Sequence, residues 1–364
     1  MTKLARFVAV LGLVSLVTAA CGESTEEGAS PTGGGPAVSV GLVYDIGGRG
    51  DLSFNDAAAR GLDKAEGDFN IDVNELEPNQ GGTNRAELLD LLASENTQLI
   101  IGVGFLFAEA VCAAGNKFPD TNFGDIDGFI NKDTPNCPKA HDLTASDNVA
   151  SLLFAEEQGS FLVGAAAALK SETGHVGFIG GVDIDLIHKF EAGFKAGAEA
   201  VDPKIEIDVK YISQPPDFSG FNDPAKGKEI AASMFESGAD VVYHAAGGSG
   251  LGMFQAAKEF SDSSGSKVWG IGVDSDQYLS VPDELKPFVL TSMLKRVEVA
   301  VYDTIQAQVD GSFEGGYQTF DLSKDGVGYA TSGGFIDDIV PQIEEAKAAI
   351  IAGDVVVPTD PTLA

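Results

Sequence analysis

The sequence predicts an α/β protein built as two doubly wound parallel-sheet domains. Three observations carry this. The chain has 364 residues, room for about two domains at roughly 150 residues each. Short β-branched runs alternate with stretches of helical length, the signature of parallel sheets with helices on both faces. The alternation also runs twice: QLIIGVGFLFAEAV (98–111) and DVVYHAAGGSGLGMFQAA (240–257) each read as strand, Gly-bearing turn, helix. Hydrophobic residues make up 44% of the chain, enough to fill real cores, and its 45 glycines lack the period of collagen.

Residues 37–46 read as a strand, 53–67 as a helix, 69–76 as a strand and 83–95 as a helix begun by a capping Thr83. A buried strand follows over 98–105, a helix over 106–117 and a short strand over 121–127. The stretch 148–171 is apolar nearly all round in its second half and reads as a helix buried between elements. The pattern restarts with a strand at 175–181 and a helix over 188–201. Strands are expected over 205–213, 240–248, 267–274 and 288–294, with helices over 223–238, 251–261 and 295–311. A last helix spans 336–353, with Pro341 near its first turn. The joint is expected near Asp147 and Asn148. One lobe then takes 37–148 with roughly 275–312, the other 149–274 with roughly 313–358.

Charge is one-sided. Lys and Arg number 23 against 55 Asp and Glu, a formal net of −32. That excludes nucleic-acid backbones, which need a basic face, and polybasic docking on an anionic membrane. The acidity reads as a solubilising surface, suited to a salty medium where repulsion is screened.

Residues 1–20 read as an export signal: Lys3 and Arg6, an apolar run from Phe7 to Val17, then small residues up to Cys21. The run is too short to span a bilayer as a mature helix. Thr18-Ala19-Ala20-Cys21 resembles a bacterial lipobox, which implies lipidation of Cys21. Residues 22–36 are small, polar and breaker-rich and read as a tether. The chain would then be held at the outer face of a cell membrane by an N-terminal lipid. Cys112 and Cys137 remain, and an even pair in an exported chain predicts a disulfide. Four histidines (His141, His175, His188, His244) without close spacing argue against a metal site.

No catalytic constellation assembles. GFIGG, GVGF and GGSGLG fall short of the dinucleotide fingerprint, and neither a phosphate-binding loop nor a nucleophile elbow is present. Binding without chemistry is the expectation, with no catalytic residue, no cofactor and no metal. Two phenylalanines sit in turns beside small polar residues, Ser53-Phe54-Asn55 and Gly220-Phe221-Asn222. One in each half can stack on the two faces of a planar ring. Strand ends, where such sheets place ligands, carry Asp45, Gly247 with Gly248, and Asp274. A carboxylate there can accept from two vicinal hydroxyls. Lys295, opening a helix after the strand at 288–294, can donate to the same hydroxyls.

The motifs DLSFNDAAARGL, EEQGSFLVGAAAAL, HVGFIGG, FNDPAKGKE, VVYHAAGGSGLGMFQAAK, IGVDSDQ and VLTSMLKRVEVAV occur in order between Val40 and Val301. Together they resemble the basic membrane protein (BMP) family, lipoprotein substrate-binding components of ABC importers. The resemblance implies the type I periplasmic-binding-protein fold, two lobes joined by a three-strand hinge. It implies a monomer that binds a purine nucleoside (guanosine, adenosine or inosine) and delivers it to an ABC permease. It places the base between Phe54 and an aromatic in the 218–221 segment, either Phe218 or Phe221, with Phe221 preferred. Asp45 and Asp127 would lie near the base, and Gly247 or Gly248, Asp274 and Lys295 around the ribose; Asn55 is a further expected ligand-binding residue. A sugar or other small-solute receptor on the same fold, importer or sensor, is the alternative. It is disfavoured by the single tryptophan, Trp269, which lies mid-strand.

Overall fold

The structure, a computed structural model, describes residues 37–79 and 81–363. The export signal, Cys21 and the tether lie outside the described residues.

Along the chain run β1 (Val38–Val43), α1 (Phe54–Asp68), β2 (Ile71–Leu76), α2 (Arg85–Ser94), β3 (Leu99–Val103), α3 (Ala108–Lys117) and β4 (Asn122–Ile126). Next come β5 (Val149–Phe154), α4 (Glu156–Lys170), β6 (His175–Val182), α5 (Asp185–Val201), β7 (Glu206–Ser213) and α6 (Pro224–Ser237). The chain continues through β8 (Val241–Ala245), α7 (Gly250–Ser264), β9 (Trp269–Asp274), α8 (Gln277–Ser280) and β10 (Val289–Lys295). It closes with α9 (Val297–Val309), β11 (Gly316–Phe320), β12 (Val327–Tyr329) and α10 (Val340–Ala352).

The strands form two six-stranded sheets, ordered β11-β5-β4-β3-β1-β2 and β12-β10-β9-β8-β6-β7. Every pairing is parallel except β10 with β12. Each sheet with its helices is one lobe. The central strands β3, β6 and β8 are buried along their whole length, as strands covered by helices on both faces must be. β7, at an edge, is partly exposed throughout.

The lobes divide the chain differently from the expected boundaries. Residues 149–154 pair with β4 and β11, so they belong to the first sheet. Residues 289–295 lie in the second sheet, not in the first lobe. The chain crosses between lobes three times, at 154–156, 295–297 and 320–322. The stretch 148–171 is a strand followed by a helix rather than one helix. Its run VASLLF is buried in pairing, and Glu156-Glu157 opens α4. α4 packs on α5, β10 and β12, whereas α9 packs on α1 and the first sheet. Lys295 ends β10 instead of opening a helix. β11 and β12 had no counterpart in the sequence reading, being short and next to glycines.

Caps explain several boundaries. Asn84, not Thr83, holds the N-cap position of α2, but its side chain accepts from Asn79 N rather than from the helix, and Thr83 N donates to Asn79. Asp223 caps α6 by accepting from Lys226 N at 2.9 Å, and Pro224 opens that helix. Pro341 lies in the first turn of α10. Cys112 and Cys137 are joined by a disulfide with Cα atoms 5.6 Å apart. No helix among the described residues is long and apolar enough to cross a membrane.

Candidate functional site

Both sheets have a point where the strand order reverses. In the first it lies between β1 and β3, in the second between β6 and β8. Ligands of open α/β sheets bind beyond the carboxyl ends of strands at such points. The two reversal points border one cleft that opens to solvent. The first lobe contributes Asp45, Asp51, Phe54, Asn55, Phe105 and Asp127. Ile187, Phe190, Phe221, Gly247, Asp274 and Lys295 come from the second. Of the nine ligand-binding residues expected from sequence, eight line the cleft. Gly248 does not; it sits one residue behind Gly247, beside Asn222 and the backbone of Phe221. Phe221 lines the cleft while Phe218 packs edge-on against Phe105, their centroids 5.9 Å apart. Trp269 lies against Phe335 and does not line the cleft.

Two of the glycine turns shape this cleft instead of cradling a phosphate. A Cβ at Gly181 would stand 2.6 Å from the Phe221 ring, so only glycine seats that ring. Gly104, at φ +113°, leaves room for the Asp45 carboxylate where a Cβ would collide with it.

The first-lobe polar wall is internally partnered. Asp45 accepts from Arg85 Nη2 at 2.8 Å and from Ile46 N. Burial raises its pKa, and the Arg85 guanidinium opposes that. Asp51 accepts from the backbone N–H groups of Ser53, Asn55 and Asp56, taking up the free donors at the start of α1. Asn55 is spent on structure: its Oδ1 accepts from Asp45 N at 2.9 Å, and its Nδ2 donates to Asp51.

Lys295 is the electrostatic centre. Only 2% exposed, it stands 2.7 Å from Asp127 Oδ2 and 2.9 Å from Glu156 Oε1. Its ammonium also faces the rings of Phe54, Phe154 and Phe190 at 5.0–5.6 Å from their centroids, a favourable cation–π geometry. Burial alone would lower its pKa, but the carboxylates of Asp127, Glu156 and Asp274 outweigh burial and raise it. Burial pushes Asp127 up to about 6 against the pull of Lys295, and Asp274 up to about 7. Asp274 Oδ2 accepts from Ser53 Oγ of the other lobe at 2.6 Å. Asp127 and Asp274 both hold left-handed backbone, φ +67° and +62°. Non-glycine residues hold that conformation at a cost of about 1–3 kcal/mol, and such residues cluster at functional sites.

Sequence reasoning missed Asp51, Phe105, Ile187, Phe190 and Glu156. Asp51 had a signal, an acidic residue just before the helix at 53–67. The others come from elements brought together only by folding.

The arrangement can hold a flat, partly apolar molecule bearing hydroxyls. Among the described residues, its lining holds no serine, threonine, cysteine or histidine.

The comparisons with known proteins agree with this architecture. A CD4+ T-cell-stimulating antigen of Listeria innocua is 36% identical over 364 aligned residues, covering 95% of each chain. A protein of Lactococcus lactis named ABC transporter nucleoside-binding protein BmpA is 36% identical, covering 87% of this chain and 88% of that one. A solved ABC transporter solute-binding protein from Aeropyrum pernix superposes with a TM-score of 0.74 at 29% identity, covering 89% of this chain and 94% of that one. Residues 37–360 match the Bmp family model, described as ABC transporter substrate-binding protein PnrA-like. The fold is therefore the type I periplasmic-binding fold, and the family is one of solute-binding proteins, not of enzymes. Fold, cleft and matched length lead to one conclusion: this chain belongs to the Bmp family of PnrA-like ABC transporter substrate-binding proteins.

Proposed function

We propose that this chain captures a purine nucleoside in the interlobe cleft and, as a monomer anchored outside the cytoplasm through a lipid on Cys21, delivers it to an ABC permease. The carrying observation is the pairing of Phe54 and Phe221, one from each lobe, with the carboxylates of Asp127 and Asp274 and the Lys295 ammonium in one cleft. The base stacks between the rings, where base–aromatic stacking contributes about 1–3 kcal/mol. Asp45 and Asp127 accept from N–H groups on the base. Asp274 accepts from the ribose diol and Lys295 donates to it, while Gly247 lets backbone approach the sugar. The printed name of the Lactococcus relative supports a nucleoside ligand. A sugar receptor is the weaker reading, because no tryptophan lines the cleft.

A thermal-shift screen over nucleosides, free bases and sugars tests this. Saturating ligand at about 100 times its dissociation constant adds roughly 2.7 kcal/mol. Guanosine, adenosine or inosine should raise the melting temperature. A shift from sugars alone would exclude the nucleoside reading.

A further inference from the structure

We propose that His175, Glu206 and Asp208 form a binding site for a zinc-like divalent ion at the end of the second sheet opposite the cleft. His175 opens β6 and Glu206 opens β7, and the two residues are direct partners in the parallel register. Alternate residues of a strand share a face, so Glu206 and Asp208 point to the same side. Residues far apart in sequence are thereby set side by side, which spacing along the chain could not reveal.

The geometry fits an ion. His175 Nε2 lies 3.2 Å from Asp208 Oδ2 and 4.0 Å from Glu206 Oε1. Two ligands each about 2.0–2.1 Å from a tetrahedral zinc stand about 3.3 Å apart. The His–Asp pair already has that spacing. The Glu206 side chain is 73% exposed and can swing in to complete a third bond. His175 is 7% exposed, and its Nε2 is buried without a hydrogen-bond partner, aimed at the two carboxylates. Ser237 Oγ donates to Asp208 Oδ2 at 3.1 Å and orients that carboxylate from outside, as outer partners of metal ligands do. Among the described residues, no other set of three His, Cys, Asp or Glu side chains converges this way. One nitrogen and two carboxylate oxygens, with a fourth position for water, suit zinc better than calcium or magnesium, which prefer all-oxygen sites.

The competing reading is a His175–Asp208 contact that holds no ion. Calorimetric titration of the chelator-stripped mature protein with zinc chloride near neutral pH, in excess magnesium to cover the acidic surface, separates the two. The expected result is one zinc per chain, and visible absorption of a four-coordinate ion when cobalt replaces zinc. Asp208→Asn and Glu206→Gln should each weaken zinc at least 10-fold, the lower bound seen even for outer-shell partners. Glu206 is exposed, so Glu206→Gln keeps the test valid should Asp208→Asn unfold. Absence of stoichiometric zinc from the parent overturns the proposal. Parent-like affinity in Glu206→Gln, with Asp208→Asn either parent-like or unfolded, places the ion elsewhere and overturns it too.

Discussion

The two walls of the cleft are built on different principles. The first-lobe wall sets Phe54 and Phe105 among four polar side chains, three of them partnered within the lobe: Asp45 by Arg85, Asp51 by helix N–H groups, Asn55 by Asp45 and Asp51. The second-lobe wall offers Ile187, Phe190, Phe221, Ala245 and Gly247, mostly apolar surface and bare backbone. Asp274 is its main acid, and it is held by Ser53 from across the cleft. One wall is thus fixed in advance, which lowers the ordering cost of binding. The other gains by covering apolar area, which a ligand must supply. Lys295 joins them, since it ends a second-sheet strand while its closest carboxylate, Asp127, follows β4 of the first sheet.

The harshest way to break this contrast is Lys295→Met. Breaking a buried ion pair by removing one partner costs about 3–5 kcal/mol, because the opposite charges stay buried. Asp127 and Glu156 are those charges. Chemical denaturation at pH 8 should show that loss, and a loss under about 1 kcal/mol would mean water, not Lys295, satisfies them.

The ring that each wall contributes is tested by Phe54→Ala in the first lobe and Phe221→Ala in the second. Each should weaken nucleoside binding by about 1–3 kcal/mol, read by calorimetry. Parent-like affinity for guanosine, adenosine and inosine in both variants would end the stacking model.

Ribose tests whether Asp274 belongs with the polar wall in function. Guanosine should bind tighter than 2′-deoxyguanosine, and guanine weakest, because a desolvated acceptor left unpaired costs about 1–3 kcal/mol. Asp274→Ala should lose most of the gap between the first two. Equal affinity of the parent for guanosine and guanine removes the ribose from the site.

The smallest effect is on pH dependence. Asp274 titrates near 7 in the folded protein against 3.8 ordinarily. The folded state therefore holds a proton that the unfolded chain releases between roughly pH 4 and 7. Its contribution to stability is present at the acid end of that window and is lost as pH rises through 7. The slope is at most about 1.4 kcal/mol per pH unit. Stability of the ligand-free parent from pH 5 to 7.5 should carry that slope, and Asp274→Asn should flatten it; an unchanged profile would assign the slope to other acids.

The strand-end residues were legible because α/β sheets put ligands at a topologically fixed place, so Asp45, Gly247 and Asp274 could be brought to the cleft from pattern alone. Their partners were not. Arg85 and Glu156 lie on helices far along the chain from Asp45 and Lys295, and no local pattern links them. The lobe boundaries failed for a related reason. VASLLF and the following helix are both apolar, parted only by Glu156-Glu157-Gln158, and pairing with β4 is what makes the first part a strand. Gly104 and Gly247 stand at strand-to-helix turns as read, but what Gly104 makes room for, the Asp45 carboxylate, comes from another element and left no local signal.

The three crossings set when each half of the molecule can be finished during synthesis. The first sheet needs β11 at its edge, and β11 is made after every strand of the second sheet except β12. Domains of ordinary multidomain chains fold one after another as they emerge. Here neither lobe can be complete until residues beyond 316 are out, so the two must mature together. A truncation of the last 50 or so residues, counted back from Ala364 to about Gly315, would strip an edge strand from both lobes at once. Nascent chains stalled before that point should be protease-sensitive over their whole length.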